Sequence, residues 1–272
     1  AMTIQLSPPV PLAVTGLPFP LSMYVHPQGD LHVSQRIRQE GIGEPYESSL
    51  ALGVLQPGQG FVDVGANIGY FSLLAAAVVG ASGKVFAFEP DPSNFQLLKA
   101  SVRLNKFEGI VQARQAGLAA QSGEARLYLS EDNLGDHQIF TTGESRSSVQ
   151  IALLNGSDFL APLVSDIDLL KVDTQGSEFG VIEGLMPMLR QQSVPPRVLI
   201  ELTPLSLRQC GASGRQLIEL LAELGQPFWI IDHIEHRTVA CSEGELARWC
   251  DDVDAVSGDE GFMNILVGPS PD

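Results

Sequence analysis

Two acids and a stretch with almost no side chains are the first features that can do chemistry. In "GFVDVGANIGYFSLLAAA", residues 60–77, an apolar run meets Asp63, passes through Gly65, Ala66, Asn67 and Gly69, and then turns helical and apolar. Glycines at such a turn let backbone come close to a ligand. A helix beginning near Tyr70 aims unpaired amides at whatever lies before it. A second acid, Glu89, ends "KVFAFEP", 20 residues after Gly69. A carboxylate there can accept two hydrogen bonds from a ribose diol. Three ligand chemistries compete for this pattern. A phosphate loop requires a lysine before Ser or Thr, and the stretch has none. A nicotinamide fingerprint requires glycine where Asn67 and Tyr70 stand. The spacing Asp-x-Gly-x-x-x-Gly, from Asp63 to Gly69, suits a nucleoside that carries an amino acid and no phosphates. Asp63 would then meet an ammonium, directly or through water.

A second constellation lies in "IDLLKVDTQGSE". Lys171 and Asp173 alternate on a strand and point to one side. Asp173, at the carboxyl end, is the candidate base or substrate-orienting group, with Lys171 pairing it. Glu201 ends the adjacent strand "RVLIEL" as a third candidate. His137, in the polar insertion "DNLGDHQIF", has a side-chain type suited to proton removal near neutrality. His233 and His236 follow a strand and are read as surface residues. Asp173, Glu178 and Glu201 are metal-ligating in kind; nothing in their spacing demands a cation, and no metal is expected.

These residues need elements to position them. Strand candidates are 61–65, 84–90, 110–117, 167–173, 197–202, 228–232 and 262–268, with another at 125–130. Several are nearly continuous Val, Ile, Leu and Phe runs, as in a parallel sheet buried on both faces. Helix starts are read at Ser93 with Gln96, Ser213 with Gln216, and Ser242 with Glu245. Gly225 and Pro227 end one of these helices. Six of the 18 prolines fall between Pro8 and Pro27, which predicts an extended arm over the first thirty residues. A short helix is expected around Glu44–Leu55. The fold class is therefore α/β, one doubly wound, mostly parallel sheet with right-handed crossovers. Residues 1–45 are read as a Pro-rich extension and 46–272 as the ligand-binding domain.

Composition narrows the partners. The 272 residues carry 32 acids against 16 bases, a net charge of −16. Nucleic-acid backbones and anionic membranes are disfavoured, whereas a neutral or cationic substrate is not. The longest apolar run, Tyr70 to Ala81, is too short to span a bilayer. Cys210, Cys241 and Cys250 form no Cys-x-x-Cys. An odd cysteine count and no basic-then-apolar leader predict a reduced, cytoplasmic setting without disulfides.

Three blocks, "FVDVGANIGYFS", "VFAFEPDPSNFQLLKASVRLN" and "DLLKVDTQGSEFGVIEG", resemble the FkbM-type S-adenosylmethionine-dependent methyltransferases. The similarity runs in order from about Glu47 to Gly184. It implies a seven-stranded Rossmann-like sheet whose final strand is antiparallel. It also implies methyl transfer from S-adenosyl-L-methionine, mostly to hydroxyls of natural products or sugars. N-methylation, a glycan or protein acceptor, and a non-catalytic cofactor-binding protein stay open. By this resemblance Asp63, Gly65, Ala66, Asn67 and Gly69 would hold the methionine part and Glu89 the ribose. Pro90 turns the chain, and Asp91 and Asn94 would lie near the adenine. One position departs: the family's Asp-x-Glu-Gly is "DTQG" here, with Gln175 in place of the acid and Glu178 one turn later. The Pro-rich arm and residues 32–47 and 133–148 are expected to roof the substrate site. The sequence does not settle the acceptor or the oligomeric state.

Overall fold

The computed structural model describes residues 6–30, 32–129, 137–139 and 147–271. The chain opens with a small antiparallel hairpin, β1 (Val10–Pro11) and β2 (Ser22–Met23). Two helices follow, α1 (Val33–Glu40) and α2 (Pro45–Val54). The sheet begins with β3 (Gly60–Val64), α3 (Tyr70–Val79), β4 (Lys84–Phe88), α4 (Pro92–Leu104) and β5 (Val111–Arg114). A separate layer comprises β6 (Gly117–Ala119), β7 (Gly123–Tyr128) and β8 (Ser148–Asn155), followed by α5 (Gly156–Leu160). The chain then returns with β9 (Leu169–Val172), α6 (Glu178–Leu189), β10 (Arg197–Leu202), α7 (Pro204–Gln209) and α8 (Gly214–Ala222). It closes with β11 (Phe228–Asp232), β12 (Arg237–Cys241), α9 (Glu243–Asp254) and β13 (Met263–Val267).

The main sheet has the order β12-β11-β13-β10-β9-β3-β4-β5. The strands β5, β4, β3, β9 and β10 are mutually parallel, and β13 runs antiparallel to both β10 and β11. All seven expected strands lie in it. The count is eight rather than seven: "DHIEHR" makes a hairpin after β11, and β12 pairs back along the edge. The run at 110–117 is also divided, with β5 in the main sheet and β6 in the three-stranded one.

Strand order reverses between β3 and β9, and in such a sheet ligands bind beyond the carboxyl ends of the strands at this point. Side-chain alternation then decides which residues share a face. Phe61 and Asp63, Val85 and Ala87, Leu169 and Lys171, and Leu199 and Glu201 share one face by register. The apolar members of this face pack with α2, α3 and α4 and with Leu21, Met23, Val25 and Ile37 from the amino-terminal segment. The other face, with Val62, Phe86, Leu170 and Ile200, packs with α6 and α8. Asp63, Lys171 and Glu201 thus share one face, toward the carboxyl ends of their strands.

Helix starts follow local chemistry. Ser213 and Ser242 cap α8 and α9, the latter with the full reciprocal box to Glu245. The start of α4 differs from expectation: Asp91 is the cap, accepting from the Asn94 amide at 2.8 Å. Pro92 occupies the first helical position, where its missing N–H costs nothing, so Ser93 already lies inside the helix. No helix among the described residues is long and apolar enough to cross a membrane.

Candidate active site

The carboxyl ends of β3, β4 and β9 open into a cavity of about 590 Å³. Asp63, Gly65, Ala66, Asn67, Glu89, Pro90 and Asn94 line it, as do Lys171, Asp173 and His137. Gly69 and Asp91 stand just behind, one turning the chain into α3 and the other capping α4. Glu201 lines a small adjoining cleft together with Glu44, Glu47, Lys171, Asp173 and Asn264.

The loop after β3 is shaped by left-handed residues: φ is +79° at Gly65, +53° at Asn67 and +95° at Gly69. At Gly65 a side chain is impossible, because its Cβ would stand 1.8 Å from the Asp173 carbonyl. This contact brings the ends of β3 and β9 together. The loop amides are largely engaged internally: those of Gly65 and Ala66 donate to the Phe88 carbonyl at 3.0 Å, and that of Gly69 to Ala66. The Asn67 amide donates to Glu89 Oε2 at 2.7 Å and the Asp91 amide to Oε1 at 2.9 Å. Glu89 therefore ties the loop after β3 to the loop after β4. The Asn94 side chain is a further hydrogen-bond partner of this carboxylate. Burial pushes its carboxyl up to about 8.

Asp63 is 1% exposed. Its Oδ2 accepts from Ser72 Oγ at 2.6 Å, while Oδ1 has no hydrogen-bond partner among the described residues. Burial raises its pKa, opposed by the Lys171 ammonium and Ser72. A buried carboxylate oxygen with no donor is costly unless a ligand supplies one. Asn67 Oδ1 is likewise buried without a donor among the described residues. These groups suit a bound ammonium or hydroxyl.

Lys171 is the cation at the centre of the acids. Burial acts to lower its pKa, but Asp173, Glu44, Asp63 and Glu201 together outweigh it, and the net shift is upward. Its Nζ lies 3.7 Å from Asp173 Oδ2 and 4.6 Å from the centre of the Phe71 ring. Asp173 Oδ1 also accepts from Gln175 Nε2 at 2.8 Å. Gln175 thus supplies a donor to Asp173, which an acid at that position does not. Glu178 is occupied elsewhere: it accepts from the Thr174 and Gly176 amides at 2.9 Å and braces the turn. Glu201 accepts from Thr203 Oγ1 at 3.1 Å, and burial, with Asp173 and Glu178 nearby, lifts its carboxyl to about 8.

His137 Nε2 lies 3.9 Å from Asp91 Oδ2, at the cap of α4. The backbone of Gln138 beside it pairs with Tyr128. Most of the insertion expected to form a roof, residues 130–136 and 140–146, lies outside the described residues. Of the other expected roof, which included the Pro-rich arm, only the segment from His32 onward lines the cavity among the described residues. His32, Arg36, Ile37, Glu40, Gly43 and Glu44 all line the cavity, carried by α1 and the turn into α2. An apolar wall from Leu118, Leu127, Ile139, Ile151 and Leu153 completes it. That wall escaped sequence reading because β8, "SVQIALLN", alternates too imperfectly to stand out. The helical segment "VSQRIRQE" was hidden by its few apolar residues.

A doubly wound sheet with this cleft at its switch point defines the class I methyltransferase arrangement. The chain belongs to the FkbM methyltransferase family: the family's "Methyltransferase FkbM domain" matches residues 63–228. It is 32% identical over 145 residues to "Methyltransferase 1" of Beauveria bassiana, covering 46% of this chain and 57% of that protein. It is 28% identical over 163 residues to "Hexuronic acid methyltransferase AglP" of Haloferax volcanii, covering 59% of this chain and 60% of that protein. The chain thus spans less than two thirds of the length of these relatives. Among solved structures, the FkbM methyltransferase of Methylobacillus flagellatus aligns with TM-score 0.47 at 15% identity, over 79% of this chain and 45% of that one.

Proposed function

We propose that this protein is an S-adenosyl-L-methionine-dependent methyltransferase that acts on a hydroxyl group of a small molecule or sugar. The observation that carries this reading is the shared cavity: Asp63 and Glu89, on neighbouring parallel strands, both open into it, and Asp63 keeps a buried oxygen without a donor among the described residues. The cofactor fits these groups. Asp63 and Asn67 would take its ammonium end and Glu89 its ribose, with Pro90 and Asn94 toward the base. When bound, the cofactor supplies an already activated methyl group. The protein's own part is to orient the acceptor, exclude water and accept a proton. Asp173, held by Lys171 and Gln175, would position the acceptor from one side. His137, beside Asp91, would close the nucleoside end. A relative named for hexuronic acid methylation supports a sugar acceptor.

Calorimetric titration with S-adenosyl-L-methionine tests the cofactor assignment. Wild-type protein should bind, and Asp63→Ala should weaken binding about tenfold or more, because an ammonium loses a charged partner. Equal affinity in both would reject the assignment. Labelled methyl donor, offered with methyl glycosides of hexoses and hexuronic acids and with simple phenols, tests the acceptor class. Label on an acceptor oxygen is expected. No label on any member of this panel would overturn the hydroxyl reading.

A further inference from the structure

Glu44 stands outside the residues matched by the family and outside the similar blocks in the sequence. We infer that Glu44 is the residue that takes the proton from the acceptor hydroxyl. This assignment rests on the methyltransferase reading and deepens it.

The geometry begins with the chain around Glu44. Pro45 follows it and opens α2, which holds Glu44 in an extended conformation with φ −84° and ψ 98°. The Glu44 carbonyl accepts from the Ser48 amide at 2.8 Å and from Ser48 Oγ at 2.5 Å. Ser48 Oγ in turn meets Tyr70 Oη at 2.8 Å. Gly43, one residue earlier, lies so close to Tyr70 that a Cβ would stand 2.9 Å from the ring. The backbone is thereby fixed against Tyr70, at the start of α3.

The side chain lines both the main cavity and the adjoining cleft that holds Lys171, Asp173 and Glu201. It differs from every other acid there. Asp63 accepts from Ser72, Glu89 from two amides, Asp173 from Gln175, Glu201 from Thr203, Glu47 from Asn264, and Glu40 pairs with Arg36. The Glu44 carboxylate accepts no hydrogen bond from the described residues. An acid whose lone pairs are already engaged by a cation and an amide, as in Asp173, is a weaker base than one left open. The groups facing Glu44 are Lys171 and Asp173 from the end of β9, Glu201 on β10, Tyr70 on α3, Glu47 on α2 and Arg36 on α1. Glu44 is half-buried; desolvation of its carboxyl in the cavity wall pushes it up to about 7, with Lys171 pulling the other way.

In the reaction, the acceptor oxygen forms its bond to the methyl carbon while its proton passes to a Glu44 oxygen. The electron pair of the broken carbon–sulfur bond stays on sulfur. Glu44 then releases the proton to solvent, and the balance is complete.

The test compares wild type, Glu44→Gln and Glu44→Asp, using the fastest acceptor of the panel above and S-adenosylhomocysteine as binding probe. Glu44→Gln should lower kcat/KM about a hundredfold or more. It should leave the S-adenosylhomocysteine Kd within about twofold, since Glu44 touches the acceptor side. Glu44→Asp should recover part of the rate. Wild-type kcat/KM should rise with pH to a plateau above neutrality, and that limb should vanish in Glu44→Gln. Carbon-13 NMR of labelled glutamate gives a readout independent of turnover: the Glu44 carboxyl carbon should titrate near neutrality in the resting protein. A Glu44→Gln rate within about threefold of wild type, or parallel loss of S-adenosylhomocysteine binding, would overturn the assignment. So would titration of Glu44 in the ordinary range near 4. Failure of wild type to bind S-adenosylhomocysteine would instead reject the functional reading beneath it.

Discussion

Asp173 is held from two sides, by the Lys171 ammonium at 3.7 Å and by the Gln175 amide at 2.8 Å. Gln175 sits at φ +55°, an uncommon conformation that points its side chain back at Asp173. The family's acid at this position would bring two carboxylates within hydrogen-bond distance. Gln175→Glu should therefore destabilise the protein by about 1 kcal/mol at pH 8 and by less at pH 5, where one carboxyl takes up a proton. Urea denaturation at the two pH values checks this; a variant as stable as wild type at pH 8 would contradict the pairing. The departure from the family pattern was visible in "DTQG". Its meaning was not, because Gln175 acts through a turn geometry that sequence spacing does not encode. The thiols carry no such role: burial pushes Cys210 and Cys250 up to about 12 and Cys241 to about 11. Thiolates, the reactive forms, are then scarce at neutral pH.

At the scale of elements, β3 and β9 are joined at their ends by a contact only glycine permits. Gly65→Ala combines a φ of +79° with a Cβ 1.8 Å from the Asp173 carbonyl. The expected loss is about 3 kcal/mol or more, from strain and overpacking together. A denaturation midpoint shifted by less than about 1 kcal/mol would show that the strand ends can separate freely. The strands themselves were legible because runs such as "FVDVG" and "RVLIEL" are apolar on both faces, as a covered parallel sheet requires. Asp63, Lys171 and Glu201 were legible as polar interruptions of those runs. The start of α4 was misplaced by two residues because Ser93–Gln96 mimics a capping box, while Asp91 before Pro92 is the stronger signal. The strand at 125–130 was legible as β7, but β12, β8 and the pairing of β6, β8 and β7 into a second sheet stayed unread because these sequences are polar, short or irregular. What decides them is pairing with distant partners, which local pattern does not report.

Over the whole molecule, the acids lining the cavity and its adjoining cleft set how stability depends on pH. Glu44 has its carboxyl raised to about 7, and Glu89 and Glu201 to about 8, all above the ordinary 4.5. In each case the folded state holds the proton more tightly than the unfolded one. Their contribution is fully present below about 4.5 and is lost as pH rises through 7 to 8. The ligand-free protein should therefore melt at a lower temperature at pH 8 than at pH 5.5, and its net charge of −16 acts in the same direction. A melting temperature that holds or climbs over this interval would show that these carboxyls ionise without penalty. Glu201→Gln should flatten the dependence. The wall formed by His32 to Glu44 precedes the first strand of the main sheet and belongs to one unbroken stretch of chain. The family's domain match begins after it, at residue 63. On the proposed reading, change confined to that short ribbon would retune which acceptor is admitted while Asp63, Glu89 and their loops stay as they are. Exchanging the ribbon between homologues would be a compact route to new selectivity.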